Sequence, residues 1–386
     1  MNVVQSSIRT NHGTVMTNKL VADFMLDISD YLESKNLSNV KLLDPSAGNG
    51  IFILSSIERL YRSSVKFGFS FSESLDNLMS IELDSQISNT LLRNIKHKLS
   101  ELGLSPSLAH KLTIKQDYLT SYLKEFDIVI GNPPYVRHER IAHNKKKTYR
   151  SLFKTFSHRS DLYIAFLEKS LQLLRPSGIL CFICPDRWLR NKYGEIFRRH
   201  LFENYSLSLI INLHNAEPFE EKVNGYPIVV KIKSTEQRGN IDYFVVDNIE
   251  DLKRIANIKD SNIQSSRSTI NHRIIHKPKS YDQLTLEESY KIPNPSNLTK
   301  IEEQGFRIGI GVATGLDDVF LSPGIVNRVE RNLLVPIVLS KDVINGEIVW
   351  SKNYVLNPYE KDGSLINLND YPMAKSYFIS NFKRLS

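Results

Sequence analysis

The sequence predicts an α/β fold, a doubly wound and mostly parallel sheet of the seven-stranded type, followed by a smaller carboxyl-terminal domain. Three observations carry this prediction. Short apolar runs alternate with helical periodicities through the first two thirds of the chain. Acids, glycines and turn residues collect where the apolar runs stop, as they do at the carboxyl edge of an open parallel sheet. The chain has 386 residues and is 41% hydrophobic, enough for one large core and a second, smaller one.

Strands are expected near Lys41–Asp44, Leu78–Glu82, Leu112–Lys115, Asp127–Ile130, Gly178–Ile183 and Leu207–Leu213, with a further pair near Ile228–Ile232 and Ile241–Val246. Helical patterns cover Leu20–Lys35, Asp84–Leu102 and Leu162–Leu174, and Ser56 to Leu78 reads as one extended helix plus loop. The last strands follow one another without a long helix, which predicts an antiparallel edge. Residues 258–305 are polar and turn-rich and are expected to connect a domain over 1–257 to another over 306–386. There is no internal repeat.

The ends of the strands carry the chemistry. After the first, Asp44-Pro45-Ser46-Ala47-Gly48-Asn49-Gly50 opens a helix, and Gly48 and Gly50 let the backbone approach a ligand. The spacing is not that of a dinucleotide fingerprint, and no Gly-Lys-Ser/Thr follows, which excludes a P-loop. An acid such as Asp44 suits a zwitterionic or hydroxyl-bearing ligand better than a phosphate. Glu82 ends the second strand, where an acid takes ribose hydroxyls in nucleotide-type sites. Asp117 and Tyr118 follow the third, placed to accept from a ring amine and to pack on the ring.

The fourth strand stops in Asn132-Pro133-Pro134-Tyr135. An aromatic exocyclic amine, such as that of adenine, is a poor nucleophile because its lone pair is delocalised. Two acceptors on its two N–H groups shift density back to nitrogen, and the Asn132 side-chain oxygen and the Pro133 carbonyl are the candidates. Proline has no N–H, so few donors compete nearby. Tyr135 can stack on the ring. The alternative reading of the four residues is an Asn-Pro turn closing a strand.

The net charge is +8 and the pI near 9.2, which suits a polyanion partner without requiring one. Arg137 to Arg159 holds Arg140, Lys145, Lys146, Lys147 and Arg150 among Tyr149, Phe153 and Phe156, and is a candidate phosphate grip or a solvated face. Arg187, Arg190, Lys192, Arg198 and Arg199 form a second such stretch. The two cysteines, Cys181 and Cys184, stand three apart on an expected strand and so face opposite ways. That argues against a shared metal, a redox pair or a thiolate nucleophile, and no metal site is expected. No apolar run approaches eighteen residues and no signal peptide is read, so the expected location is the cytoplasm, without a membrane partner.

These motifs, in this order, resemble the γ class of N6-adenine DNA methyltransferases of restriction–modification type. His12 to Met25 resembles the family's opening motif, Asp44 to Gly50 its Asp-Pro-x-x-Gly-x-Gly, and Asn132 to Tyr135 its Asn-Pro-Pro-Tyr. Gly178 to Leu189 resembles the next strand and loop, and Pro218 to Val223 the loop that sets an aromatic against the target base. The family's proline after the opening threonine is Asn18 here. The resemblance implies the fold and cofactor of S-adenosyl-L-methionine-dependent methyltransferases. Thr17 would receive the methionine carboxylate, and Asp44, Pro45, Ala47, Gly48 and Gly50 would surround the methionine end. Glu82 would bind the ribose, and Asp117 with Tyr118 the adenine. Asn132, Pro133, Pro134, Tyr135 and Phe219 would hold a base flipped out of double-stranded DNA.

Arg307 to Phe320 resembles the start of the family's target-recognition domain. Roughly eighty residues remain, short for such a module, so the chain is expected to be truncated or completed by a partner, and a separate restriction endonuclease or specificity subunit is the implied partner class. Rival readings are a protein glutamine-N5 methyltransferase, which shares Asn-Pro-Pro-Tyr but lacks a domain after the sheet, and a non-catalytic DNA-recognition subunit. Thr17 as a plain helix N-cap is the corresponding local alternative.

Overall fold

A computed structural model describes residues 15–157, 159–221, 226–236, 239–256, 271–275, 305, 314, 316–321, 323–344, 347–360 and 362–385. The chain divides into two compact units, Met1–Lys291 and Ile292–Ser386.

The first unit is an α/β sandwich. Its strands are β1 (Leu42–Asp44), β2 (Leu78–Glu82), β3 (Thr113–Lys115), β4 (Phe126–Gly131), β5 (Leu174–Pro185), β6 (Ser206–Asn212), β7 (Pro227–Lys233), β8 (Ile241–Val245) and β9 (Asn271–Ile275). They form one sheet in the order β3-β2-β1-β4-β5-β7-β6-β8-β9. The first five in that order run parallel, β7 is antiparallel to both β5 and β6, and β8 is parallel to β6. The expected antiparallel edge is therefore an antiparallel strand inserted before the edge. β9 lies within the segment expected to be connection and pairs antiparallel with β8.

The helices are α1 (Lys19–Ile28), α2 (Ile51–Phe67), α3 (Phe71–Ser74), α4 (Ser85–Glu101), α5 (Ala109–Leu112), α6 (His143–Leu152), α7 (Leu162–Gln172), α8 (Glu195–Asn204) and α9 (Leu252–Ala256). Strand residues alternate between two apolar layers, as a sheet buried on both faces requires. Leu42, Ile128, Ile130, Cys181 and Ile183 pack with α1, α2 and α4. Leu43, Val129, Leu180, Phe182 and Cys184 pack with α6, α7 and α8. The two cysteines thus sit on opposite faces, both fully buried, and burial pushes the Cys181 thiol up to about 12. Each fully buried aliphatic side chain in these layers contributes about 1.5–3 kcal/mol.

Two helices end earlier than expected. α1 stops at Ile28 because Asp30 takes a left-handed φ of 66° and turns the chain. α2 stops at Gly68, also left-handed, and α3 follows as a separate turn. Among the described residues no helix is long and apolar enough to cross a membrane.

The second unit has its own small core of Val319, Ile325, Val329, Leu333, Leu356 and Tyr377. Leu334–Pro336 pairs antiparallel with Tyr354–Leu356, and Val343–Ile344 with Glu347–Ile348. A helix over Pro372–Ser380 starts on the Glu330 carboxylate, which accepts from the Met373 and Ala374 N–H groups at 2.8 and 3.0 Å. Residues 306–313, the start of the segment read as a recognition domain, lie outside the described residues, as do 12–14 of the opening motif and 222–223 of the aromatic loop.

Candidate active site

The carboxyl ends of β1, β2 and β4 meet around one cleft of about 300 Å³. The loop after β1 forms its floor and is pinned from three sides. Ala47 N–H donates to Ile81 O at 2.9 Å and Gly48 N–H to Glu82 Oε2 at 3.0 Å. Ser46 Oγ donates to Asn132 O at 2.9 Å, and Asn94 Nδ2 to Asn49 O at 2.9 Å. Gly48 has a φ of 57°, which keeps the floor turned towards the cleft. Pro45, Ala47 and Gly48 line the cleft as expected.

Gly50 does not line it. It is the left-handed N-cap of α2, and a Cβ there would stand 2.6 Å from Leu91 Cδ1. Its requirement for glycine comes from packing beneath the loop, and the reading of Gly50 as a ligand contact is corrected to that extent. Asp44 is likewise not in the wall. It is fully buried behind the loop, with Oδ1 accepting from Ser46 N–H at 3.3 Å and Oδ2 without a hydrogen-bond partner. Burial raises its pKa to about 8, the nearby Glu82 adding to the rise and the Ser46 N–H opposing it. Gly131 makes this tight junction: a Cβ there would lie 2.9 Å from Asp44 Oδ1.

Glu82 lines the cleft with its carboxylate already held. Oε2 takes the Gly48 N–H and Oε1 the Asp84 N–H at 2.9 Å. Burial raises its pKa, against those backbone bonds. Asp117 is also engaged. Its Oδ2 accepts from Tyr149 Oη at 2.7 Å and Lys145 Nζ at 3.3 Å, and its Oδ1 from Leu119 N–H at 3.1 Å. Tyr118 lines the cleft, but its hydroxyl is turned into the core, 2.8 Å from Ser170 Oγ.

Asn132 and Thr17 come together from opposite ends of the sequence. Asn132 Nδ2 donates to Val15 O at 2.9 Å and to Thr17 Oγ1 at 3.2 Å. Val15 O can only accept, so the NH2 must face it, and Oδ1 is left on the other side. That oxygen is buried and has no hydrogen-bond partner. Asn132, Pro134 and Thr17 line the cleft. Thr17 is not the N-cap of α1; Asn18 is, its side chain accepting from Leu20 N–H. Thr17 instead bridges Phe219 in a short antiparallel contact.

Pro133, Tyr135 and Phe219 stand outside the cleft walls. Tyr135 packs edge to face on Phe219 with ring centroids 6.1 Å apart, and its hydroxyl donates to Ile183 O at 3.4 Å. Phe219 is 8% exposed. The two rings form an aromatic pair at the end of the Asn132–Tyr135 tetrad.

The opposite wall was not legible as a site. It comes from Leu119, Val136, Ile141, Tyr149, Leu162 and Phe166, with Arg140 and Lys145 at its polar side. In sequence these residues read as core or surface. The usable signal is the spacing Leu162 and Phe166, one turn apart on α7. The basic segment is corrected in part: Tyr149, Phe153 and Phe156 are buried core, and Lys145 turns inwards to Asp117, while Lys147, Arg140 and Arg159 are exposed. In the second basic stretch Arg198 is fully buried and donates to Trp188 O and Asn191 O, and Arg190 and Arg199 pair with Asp186 and Glu195.

The first unit thus combines a mostly parallel sheet, one antiparallel strand between β5 and β6, and a cleft over the ends of β1, β2 and β4. Residues 51–219 match the Eco57I restriction-modification methylase family. The chain is 33% identical to the type II methyltransferase M.BstVI of Geobacillus stearothermophilus, over 97% of this chain and 71% of that protein. It is 33% identical to the type II methyltransferase M.XhoI of Xanthomonas vasicola, over 95% and 70%. Among solved structures, the fold is shared with the ATP-dependent type ISP restriction-modification enzyme LlaBIII bound to DNA, at a TM-score of 0.52, 17% identity, and coverage of 84% of this chain and 25% of that one. The chain belongs to the family of type II restriction–modification methyltransferases.

The residues present fit S-adenosyl-L-methionine, the cofactor that the sequence motifs imply. Thr17 and the glycine floor would suit a zwitterionic end, the held Glu82 carboxylate would suit hydroxyls, and the apolar slot of Leu119, Leu162 and Phe166 would suit a flat ring.

Proposed function

We propose that this chain transfers a methyl group from S-adenosyl-L-methionine to the N6 amino group of adenine in double-stranded DNA, as the modification component of a restriction–modification or related defence system. The observation that carries the reading is the Asn132 side chain. Its amide is fixed by two acceptors on the nitrogen, and its oxygen is buried without a donor. Leaving an acceptor in that state costs about 1–3 kcal/mol unless a ligand supplies the N–H.

Asn132 Oδ1 and the Pro133 carbonyl would each accept one N–H of the adenine amine, which restores nucleophilicity and fixes its direction of attack. Tyr135 and Phe219 would offer their aromatic surface to the extruded base. Such stacking contributes about 1–3 kcal/mol per base and offsets part of the cost of leaving the duplex. The cofactor, when bound, supplies an electrophilic methyl group on a sulfonium. Thr17, Pro45, Ala47 and Gly48 would hold its methionine end, Glu82 its ribose, and Asp117 with Tyr118 its adenine. Asp44 and Gly50 shape the floor from behind. As the amine takes the methyl and leaves a neutral thioether behind, the proton lost from the amine would pass to water.

The exposed cations of α6 and its approach would grip phosphates beside the target. Residues 1–291, the unit whose sheet includes β9, would be the catalytic domain and 292–386 would carry target recognition, with a separate endonuclease or specificity subunit as the partner. Base-resolved sequencing of DNA from cells expressing the chain tests the proposal. N6-methyladenine at one sequence context is the expected result. Absence of methylated adenine, with labelled methyl appearing in protein instead, refutes it.

A further inference from the structure

We infer that Lys169 is a positioning residue for the cofactor end of the cleft, holding the wall that carries Asp117 and Tyr118 at a fixed distance from the wall that carries Leu162 and Phe166. The inference deepens the proposed function and rests on its reading of the cleft.

Lys169 is a buried ammonium on α7, 7% exposed. Its Nζ donates to the carbonyls of Tyr118 and Ser121, the latter at 2.6 Å, and to Ser121 Oγ at 3.1 Å. It also stands 4.8 Å from the centroid of the Tyr118 ring. These oxygens belong to the turn that leaves β3 and carries Asp117, Tyr118 and Leu119 into the cleft. Leu162, Phe166 and Lys169 recur at i, i+4 and i+7, so one stripe of α7 bears both the apolar wall and the clamp. Ser170 adds a second tie through the Tyr118 hydroxyl, at 2.8 Å.

An uncharged residue would fill this core more cheaply. Burial lowers the Lys169 pKa to about 8, against the pull of Asp117, so the ammonium is held at a cost that its oxygen contacts offset. The contacts go to the carbonyls of a single 3-10 turn and its end, and they tie its backbone to α7, where the other bonds hold only the side chains of Asp117 and Tyr118. Loosening that turn widens the slot for a flat ring. It leaves Asn132 and the tetrad untouched, since neither touches Lys169. The signature is therefore a loss of cofactor affinity without a loss of the chemical step.

The test uses the full chain, S-adenosyl-L-methionine as titrant in calorimetry, and steady-state methyl transfer to DNA. Lys169→Met should raise the Kd and KM for the cofactor about tenfold, the loss of one charge-assisted contact, while kcat at saturation stays within about twofold. Lys169→Arg should recover most of the affinity, because it keeps the charge and its donors. An unchanged cofactor KM in Lys169→Met, or a loss confined to kcat, overturns the inference. Where Lys169→Met fails to unfold cooperatively in urea, Ser170→Ala carries the test. It should raise the cofactor KM about threefold at constant kcat, and an unchanged KM overturns the inference. A wild-type chain that takes up no cofactor overturns the reading of the cleft itself, a result distinct from a wild type that binds and variants that bind equally well.

Discussion

The Asn132 side-chain nitrogen donates to the Val15 carbonyl at 2.9 Å across 117 positions of sequence, and this one bond decides which way the amide points. A second bond, to Thr17 Oγ1, holds the same nitrogen. The segment before α1 thus leaves the oxygen of Asn132 on the side away from Val15. Asn132→Ala should lower methyl transfer by about 10²–10³-fold, the scale seen when one preorganised polar group is removed, while cofactor binding by calorimetry is retained. Asn132→Asp should be no better, because a carboxylate oxygen would face the Val15 carbonyl. Tritium-labelled transfer to DNA measures both, and an Asn132→Ala variant within tenfold of wild type refutes the assignment.

Gly131 lets β4 end against β1. A methyl group there would press on Asp44 Oδ1 at 2.9 Å and on Pro45 Cδ at 3.4 Å, and neither backbone can retreat, since β1 and β4 are paired. Gly131→Ala should therefore destabilise the first unit by about 1–3 kcal/mol, the usual cost of overpacking, and lower transfer through a displaced Asn132. A lowered urea midpoint with unchanged slope is the expected signature. A variant with wild-type midpoint would show that the junction is slack.

Asp44 makes stability depend on pH in a stated direction. Its folded-state pKa is raised to about 8, first by burial and then by Glu82, against 3.8 for an ordinary Asp. Between those values the folded chain keeps a proton that the unfolded chain has lost. The stability contributed by this group therefore falls as pH rises from about 4 to about 8 and is level above. Asp44→Asn keeps the oxygen that accepts from Ser46 and removes the titration. Its urea midpoint relative to wild type should improve steadily from pH 5 to pH 8, with Glu82 common to both proteins. A difference that does not vary with pH would mean that Asp44 is ionised in the folded chain.

Much of this architecture was legible because strands in a sheet buried on both faces are short, apolar and closed by turn residues. β2 begins and ends where the apolar run 78–82 does, and the acids after β1, β2 and β3 fall at one edge. The tetrad was legible because its four residue types have few other uses together. The far wall was not. Leu162 and Phe166 face a cleft, but their spacing is also that of any buried helix stripe. Tyr149 and Lys145 sit in a run of cations that reads as a solvated face, and only the fold brings Asp117 to them. Arg198 reads as surface for the same reason. It is buried because Trp188 and Asn191 supply carbonyls, and because Gly194 leaves room where a Cβ would lie 2.8 Å from its Nη1. A charge pattern gives the residues but not which way a helix turns them.

That helix makes the last prediction. α6 points Lys145 and Tyr149 at Asp117, while Lys147 is exposed on another side. A cation there, fifteen residues after Asn132, would meet a phosphate near the extruded base without reading its sequence. Lys147→Ala should weaken binding to duplexes with and without the target sequence by similar factors. The slope of log K against log salt should fall by about 0.9, the release expected from one lost phosphate contact. Fluorescence anisotropy across a salt series reads both quantities. The transfer rate at saturating DNA should stay close to wild type, because Lys147 touches neither the cleft nor the tetrad. An unchanged salt slope would place the DNA backbone elsewhere and assign the outer face of α6 to solvent.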